Sequence, residues 1–107
     1  MSGPTLQQKS QMNRAALHRV TIHESGHLVV AHALGLPCGG AAIRPDLSGI
    51  SFTGPGPVAD KIAVCFAGIE AEILAFGAVA AAEVSGDLRQ VERIERRHGI
   101  RAYHARD

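Results

Sequence analysis

Over 14–34 the apolar residues Ala15, Leu17, Val20, Ile22, Leu28, Val29, Ala31 and Leu34 recur mainly at helical spacing, and Gly35 followed by Pro37 supplies a stop. The pattern predicts a first helix across that span. Residues 1–13, MSGPTLQQKSQMN, are polar, without the basic start and apolar stretch of an export signal, and are expected to form a flexible leader. After the helix, CGGAAIRPDLSGISFTGPGP is rich in Gly and Pro, with β-compatible pieces at 41–44 and 50–53 joined by the turn-like PDLSG. A small hairpin or a pair of edge strands is expected there. Residues 58–76 are mostly apolar at helical spacing and stop at Gly77, as in a helix buried on more than one face. Ser85 resembles the N-cap of a third helix that runs through Leu88, Val91 and Ile94 to about His98, with Gly99 as its stop. These elements predict a mostly helical α+β fold, with the hairpin between the first two long helices and one domain over 14–107.

Composition narrows this picture without naming a function. A chain of 107 residues with 46% hydrophobic content can bury one modest core. Its formal charge of +1 gives no general attraction to nucleic acid or anionic lipid. The apolar stretch 62–82 approaches membrane-spanning length, but Glu70 and Glu72 fall inside it and Gly68 and Gly77 interrupt it. A buried helix is expected, with no membrane insertion. Cys38 and Cys65 form no Cys-x-x-Cys pair and are too few for a disulfide framework, so both are expected to be reduced thiols of a cytoplasmic protein.

The candidate chemistry lies in TIHESGHL, residues 21–28. On a helix His23 and His27 are four residues apart, so both imidazoles leave one face and can reach the same metal ion from adjacent turns. Glu24 follows the first histidine, where a carboxylate can reach water at the metal without being a ligand, as the general base of a zinc peptidase must. Gly26 removes a side chain beside the second histidine at a propensity cost of about 1 kcal/mol, which suggests that a packing partner or the substrate approaches the helix closely there.

Catalytic zinc takes three protein ligands and keeps an open position, so the chain must supply one more. Asp87 is a candidate, although a carboxylate near the start of the third helix also suits the helix dipole without any metal. Glu70 and Glu72 lie within an apolar helix, where at least one is expected to meet a cation, the metal or a histidine's second nitrogen. His32 is turned from the pair by about 140° on an ideal helix, and His18, His98 and His104 have no fixed spacing to it.

Four segments in order resemble one family, the peptidase domain of the FtsH-type membrane-anchored ATP-dependent zinc proteases. HESGHLVVAHALG resembles its active-site helix, and IRPDLSGISFTG the following segment, whose strand holds an extended substrate. AGIEAEILAFG is similar to its Gly-Gly-Arg-x-Ala-Glu-Glu helix, and VSGDLRQVERI to its Ser-x-Asn-Asp-Leu-x-x-Ala-Thr segment; together the blocks cover roughly 18–94. The resemblance implies a zincin-like domain with zinc held by His23, His27 and Asp87 and with Glu24 as the base. It places Glu72 on the first acidic position of the Ala-Glu-Glu block, behind the ligands or in place of one, and Ile73 on the second. Gly86 stands where the family usually has Asn.

No Gly-x-x-x-x-Gly-Lys-Ser/Thr loop occurs, so the expected activity is a zinc-dependent metallopeptidase that hydrolyses flexible or unfolded polypeptides without an ATPase of its own. Its expected partners are a polypeptide substrate and either a separate ATPase or further copies of the chain, with no nucleic acid. Two other readings use the same residues. One is a regulatory peptidase of ImmA/IrrE type that cuts a dedicated protein and takes Glu70 or Glu72 as third ligand. The other is a non-catalytic binding or adaptor module of the same fold, with the arginines of ERIERRHGIRAYHARD as a partner contact.

Overall fold

A computed structural model describes residues 3–79 and 81–99; His104 and the arginines beyond position 99 lie outside the described residues. The chain folds as α1 (Leu6–Ala33), β1 (Cys38–Ile43), β2 (Gly49–Thr53), α2 (Val58–Phe76) and α3 (Ala81–His98). The mostly helical α+β architecture, the hairpin between the two long helices and the bounds of α2 are as the hydrophobic pattern predicts.

Two helix starts differ from that pattern. α1 begins at Leu6 rather than near Arg14, so residues 6–13 are helical and not a loose leader. Thr5 caps it: the Thr5 hydroxyl accepts from the Gln8 amide at 3.1 Å while the Gln8 side chain accepts from the Thr5 amide at 2.8 Å. Residues 3–18 are all exposed, so this part of the helix has no buried stripe for a periodicity argument to detect. α3 likewise starts at Ala81 and carries Ser85 inside it. Ala81, Ala82 and Glu83 extend the helix toward its N-terminus, Ala being the strongest helix former, and Asp87 consequently lies in the second turn, beyond the reach of a first-turn dipole effect.

α1 lies along α2, and α2 also packs on α3, so α2 is the shared wall of the domain. One core cluster joins Ala31 of α1, Leu36 and Val64 of α2; another joins Ile62 of α2 to Val91 and Ile94 of α3. The hairpin is antiparallel, with Ala41 opposite Ser51 and Ile43 opposite Gly49, and both strands contact α1. Its turn is closed by Asp46, whose carboxylate accepts from the Ser48 amide and hydroxyl. Among the described residues no helix is long and apolar enough to cross a membrane.

The close approach expected at Gly26 is made by α2. A Cβ at position 26 would stand 2.6 Å from the Ala67 carbonyl oxygen and 2.7 Å from the Ala71 methyl, so Gly26, Ala67 and Ala71 let the two helix backbones meet where the histidines emerge. Gly26→Val is expected to wedge α1 from α2 and lower stability by about 1–3 kcal/mol, read as a lower urea midpoint. An unchanged midpoint would contradict this packing.

Candidate metal centre

His23, Glu24 and His27 occupy the middle of α1 and are 1%, 5% and 8% exposed. Burial of three such groups is unfavourable unless each is satisfied; α2 supplies acceptors for the two rings and β2 a donor for Glu24. The Nδ1 of His23 lies 3.1 Å from Oε1 of Glu72, which is fully buried on α2. The other oxygen of Glu72 accepts from Arg19 at 3.0 Å. The Arg19 guanidinium also donates to the Ala78 carbonyl at 3.0 Å and lies 4.5 Å above the Phe76 ring, which fastens α1 to the end of α2. The Nδ1 of His27 donates to the Val64 carbonyl of α2.

These acceptors set the tautomers. A backbone carbonyl only accepts, so Nδ1 of His27 carries a proton; the Glu72 carboxylate, paired with Arg19, imposes the same on His23. In the neutral rings both Nε2 atoms then present lone pairs. They face Asp87 of α3, whose Oδ2 lies 3.1 Å from Nε2 of His23 and whose Oδ1 lies 3.5 Å from Nε2 of His27. One donor atom from each of the three residues falls within 4.8 Å of the others.

Two observations show that a metal ion fits this arrangement. Oδ2 of Asp87 is buried and, although close to His23, makes no aligned hydrogen bond. Gly68 of α2 leaves bare backbone beside the nitrogens, since a Cβ there would stand 2.5 Å from Nε2 of His23 and 2.6 Å from Nε2 of His27. Lone pairs and a carboxylate gathered in a poorly solvated space repel unless a cation joins them, either protons on the rings or a metal.

Without metal, protons take that part. Burial disfavours the charged ring of His27, but the Asp87 carboxylate and the Val64 carbonyl outweigh it, so its pKa is raised above 6.5. Burial likewise disfavours the charged carboxylate of Asp87, but the adjacent His23 and His27 rings outweigh it and hold its pKa below the ordinary 3.8.

Glu24 stands apart from the three converging groups. Its Oε1 accepts from the Ser51 hydroxyl of β2 at 2.6 Å. It opens on a cleft of about 390 Å³ that also exposes His23, His27 and Asp87 and is walled by β2 residues, Lys61 and Gln90. Cys65 lines the same cleft, where burial and then the Asp87 charge push its thiol up to about 11, so it stays protonated near neutral pH.

The remaining candidates fall elsewhere. Glu70, His32 and His98 are exposed. Glu72 meets the Nδ1 side of His23, away from the nitrogen that faces Asp87. His18 is exposed and stacks edge-on against Phe76 at 5.4 Å. Sequence reasoning missed Arg19, Ser51, Gly68 and the Val64 carbonyl. The only signal was indirect: a carboxylate in an apolar helix needs a cation, and Arg19 lies one turn before His23.

Gly68→Ala is expected to keep the fold and to weaken metal binding roughly 10- to 100-fold, measured by competition with a chromogenic chelator; wild-type affinity in this variant would contradict the site. A second test is pH. The raised pKa of His27 gives metal-free protein a stabilisation fully present below 6.5 and lost as pH rises through the folded value. The lowered pKa of Asp87 gives one present above 3.8 and lost as pH falls through the folded value. Urea midpoints in excess chelator should therefore decline from pH 6 toward pH 9, whereas metal affinity should rise over the same range because ligand histidines must be neutral. A chelated protein that gains stability over that range would refute the assignment.

Compared with protein-family models, curated proteins and solved structures, the chain matches none of them.

Proposed function

We propose that the chain is a cytoplasmic zinc-dependent metallopeptidase that hydrolyses peptide bonds in flexible or unfolded polypeptides. The observation that carries this reading is the division of labour in one cleft: His23, His27 and Asp87 converge as a ligand group, while the Glu24 carboxylate borders the same space outside that group. Two imidazoles and one carboxylate are a donor set of catalytic zinc sites. Zinc held by these three residues would supply Lewis-acid polarisation of the scissile carbonyl and a lowered pKa for water.

The chain's own groups account for the other requirements. Glu24 takes a proton from the attacking water and delivers it to the leaving amine, the two transfers that turn a poor nucleophile and a poor leaving group into usable ones. Glu72 and the Val64 carbonyl hold the imidazoles in the tautomer that directs Nε2 to the ligand position. Among the described residues strand β2 pairs with β1 alone, and its residues Gly49, Ile50, Ser51 and Thr53 line the cleft. Its outer edge can bind an extended backbone by strand addition, which favours segments free of their own structure. The contact of Glu72 with the far side of His23 supports Asp87 over Glu72 as third ligand.

Glu24→Gln is expected to retain metal and to lose roughly 100- to 10,000-fold in the rate of cleavage of an unfolded, fluorescently quenched polypeptide. Metal content and turnover measured on one preparation decide the matter, and full activity in the variant would contradict the mechanism.

A further inference from the structure

We infer that Ser51, with Gly49 beside it on β2, is the positioning residue for Glu24, so that the strand offered to the substrate also holds the base. The inference rests on the peptidase reading above and adds a residue to it.

Glu24 has a long side chain with several rotatable bonds, and a proton acceptor displaced by about 1 Å can lose up to about 100-fold in rate. It is also 5% exposed, so little water is available to orient its carboxylate. The Ser51 hydroxyl lies 2.6 Å from Oε1 of Glu24 and 3.1 Å from its backbone oxygen. A hydroxyl has one proton to give, and the carboxylate at the shorter distance is the stronger acceptor. Gly49 completes the holder. A Cβ there would stand 2.7 Å from both Cγ and Oε2 of Glu24 and 2.8 Å from Cγ2 of Val20, so bare strand backbone lies directly against the stem and second oxygen.

Gly49 and Ser51 are two apart on a strand, which puts both on its same face. Their register is fixed opposite Ile43 and Ala41 of β1. Glu24 is therefore gripped from one strand face, by a hydrogen bond on Oε1 and by contact beside Oε2. Both gripping residues line the cleft, and a polypeptide that adds to β2 acts on the same strand that sets the base.

Ser51→Ala and Ser51→Thr, each purified with metal, test this with the unfolded fluorogenic polypeptide as substrate. Ser51→Ala should lower kcat roughly 10- to 100-fold with KM within about twofold and unchanged metal content. Ser51→Thr, which keeps the hydroxyl, should recover most of the rate. Wild-type kcat in Ser51→Ala, a loss confined to KM, loss of metal, or failure of Thr to restore the rate would each overturn the assignment. Thermal melts of metal-free wild type, Ser51→Ala, Glu24→Ala and the double variant provide a readout without turnover: the double variant should lose less in Tm than the two single losses summed, and additive losses would overturn the contact. If the wild type cleaves nothing, the peptidase reading fails by itself and the melts alone decide whether Ser51 holds Glu24.

Discussion

Two imidazole rings buried between helices each commit Nδ1 to an acceptor of α2, and the organisation of the site follows from that commitment. The Val64 carbonyl and the Glu72 carboxylate leave Nε2 of His27 and His23 as the nitrogens that face α3. Asp87 meets them there with a buried oxygen that makes no hydrogen bond. The assembly is a concavity that protons on the rings or a metal ion make favourable, and its sides come from helices whose packing brings His23 and His27 to Asp87. A metal ion held there would couple binding to tertiary packing, because α1 would provide two donors and α3 the third, while α2 orients the rings from between them.

This arrangement asks much of a small core. The described hydrophobic clusters are few and consist of residues such as Ala31, Val64, Ile62 and Val91, while His23, Glu24, Glu72 and most of His27 are buried among them. The polar groups therefore contribute to cohesion as well as to chemistry. Arg19 illustrates this: one side chain neutralises Glu72, closes onto the Ala78 carbonyl and covers Phe76. Glycines complete the design by subtraction. Gly26 lets α1 and α2 touch, Gly68 leaves room at the nitrogens, and Gly49 admits the stem of Glu24.

The sequence made the parts with strong local signals legible. The i, i+4 histidines place two rings on one helix face, and Gly77 ends α2 with its backbone at φ 78°. The hairpin follows from PDLSG between β-compatible pieces. Helix starts without burial were not legible: residues 6–18 of α1 are exposed, so their helicity rests on a cap and on propensity, which a search for apolar period does not read. Ser85 misled for a related reason, since a good capping residue inside α3 looks like a start when the preceding alanines are assigned elsewhere. By spacing and chemistry Asp87 was one acidic candidate among several, and only the family resemblance favoured it. What singles it out is the crossing of α3 over the histidines, a long-range property that no local spacing encodes. At least one of Glu70 and Glu72 was expected to meet a cation or a ring nitrogen; Glu72 does so, yet its Arg19 partner lies 53 positions away in sequence.

The central claim is that Nε2 of His23, Nε2 of His27 and the carboxylate of Asp87 hold one metal ion. Anomalous diffraction at the zinc absorption edge, from crystals of zinc-loaded protein, tests it most directly. The account predicts a single strong peak about 2.0–2.2 Å from each of those three groups, with Glu72 still on Nδ1 of His23. No peak at this position, or a peak ligated by Glu72 instead of Asp87, would contradict it.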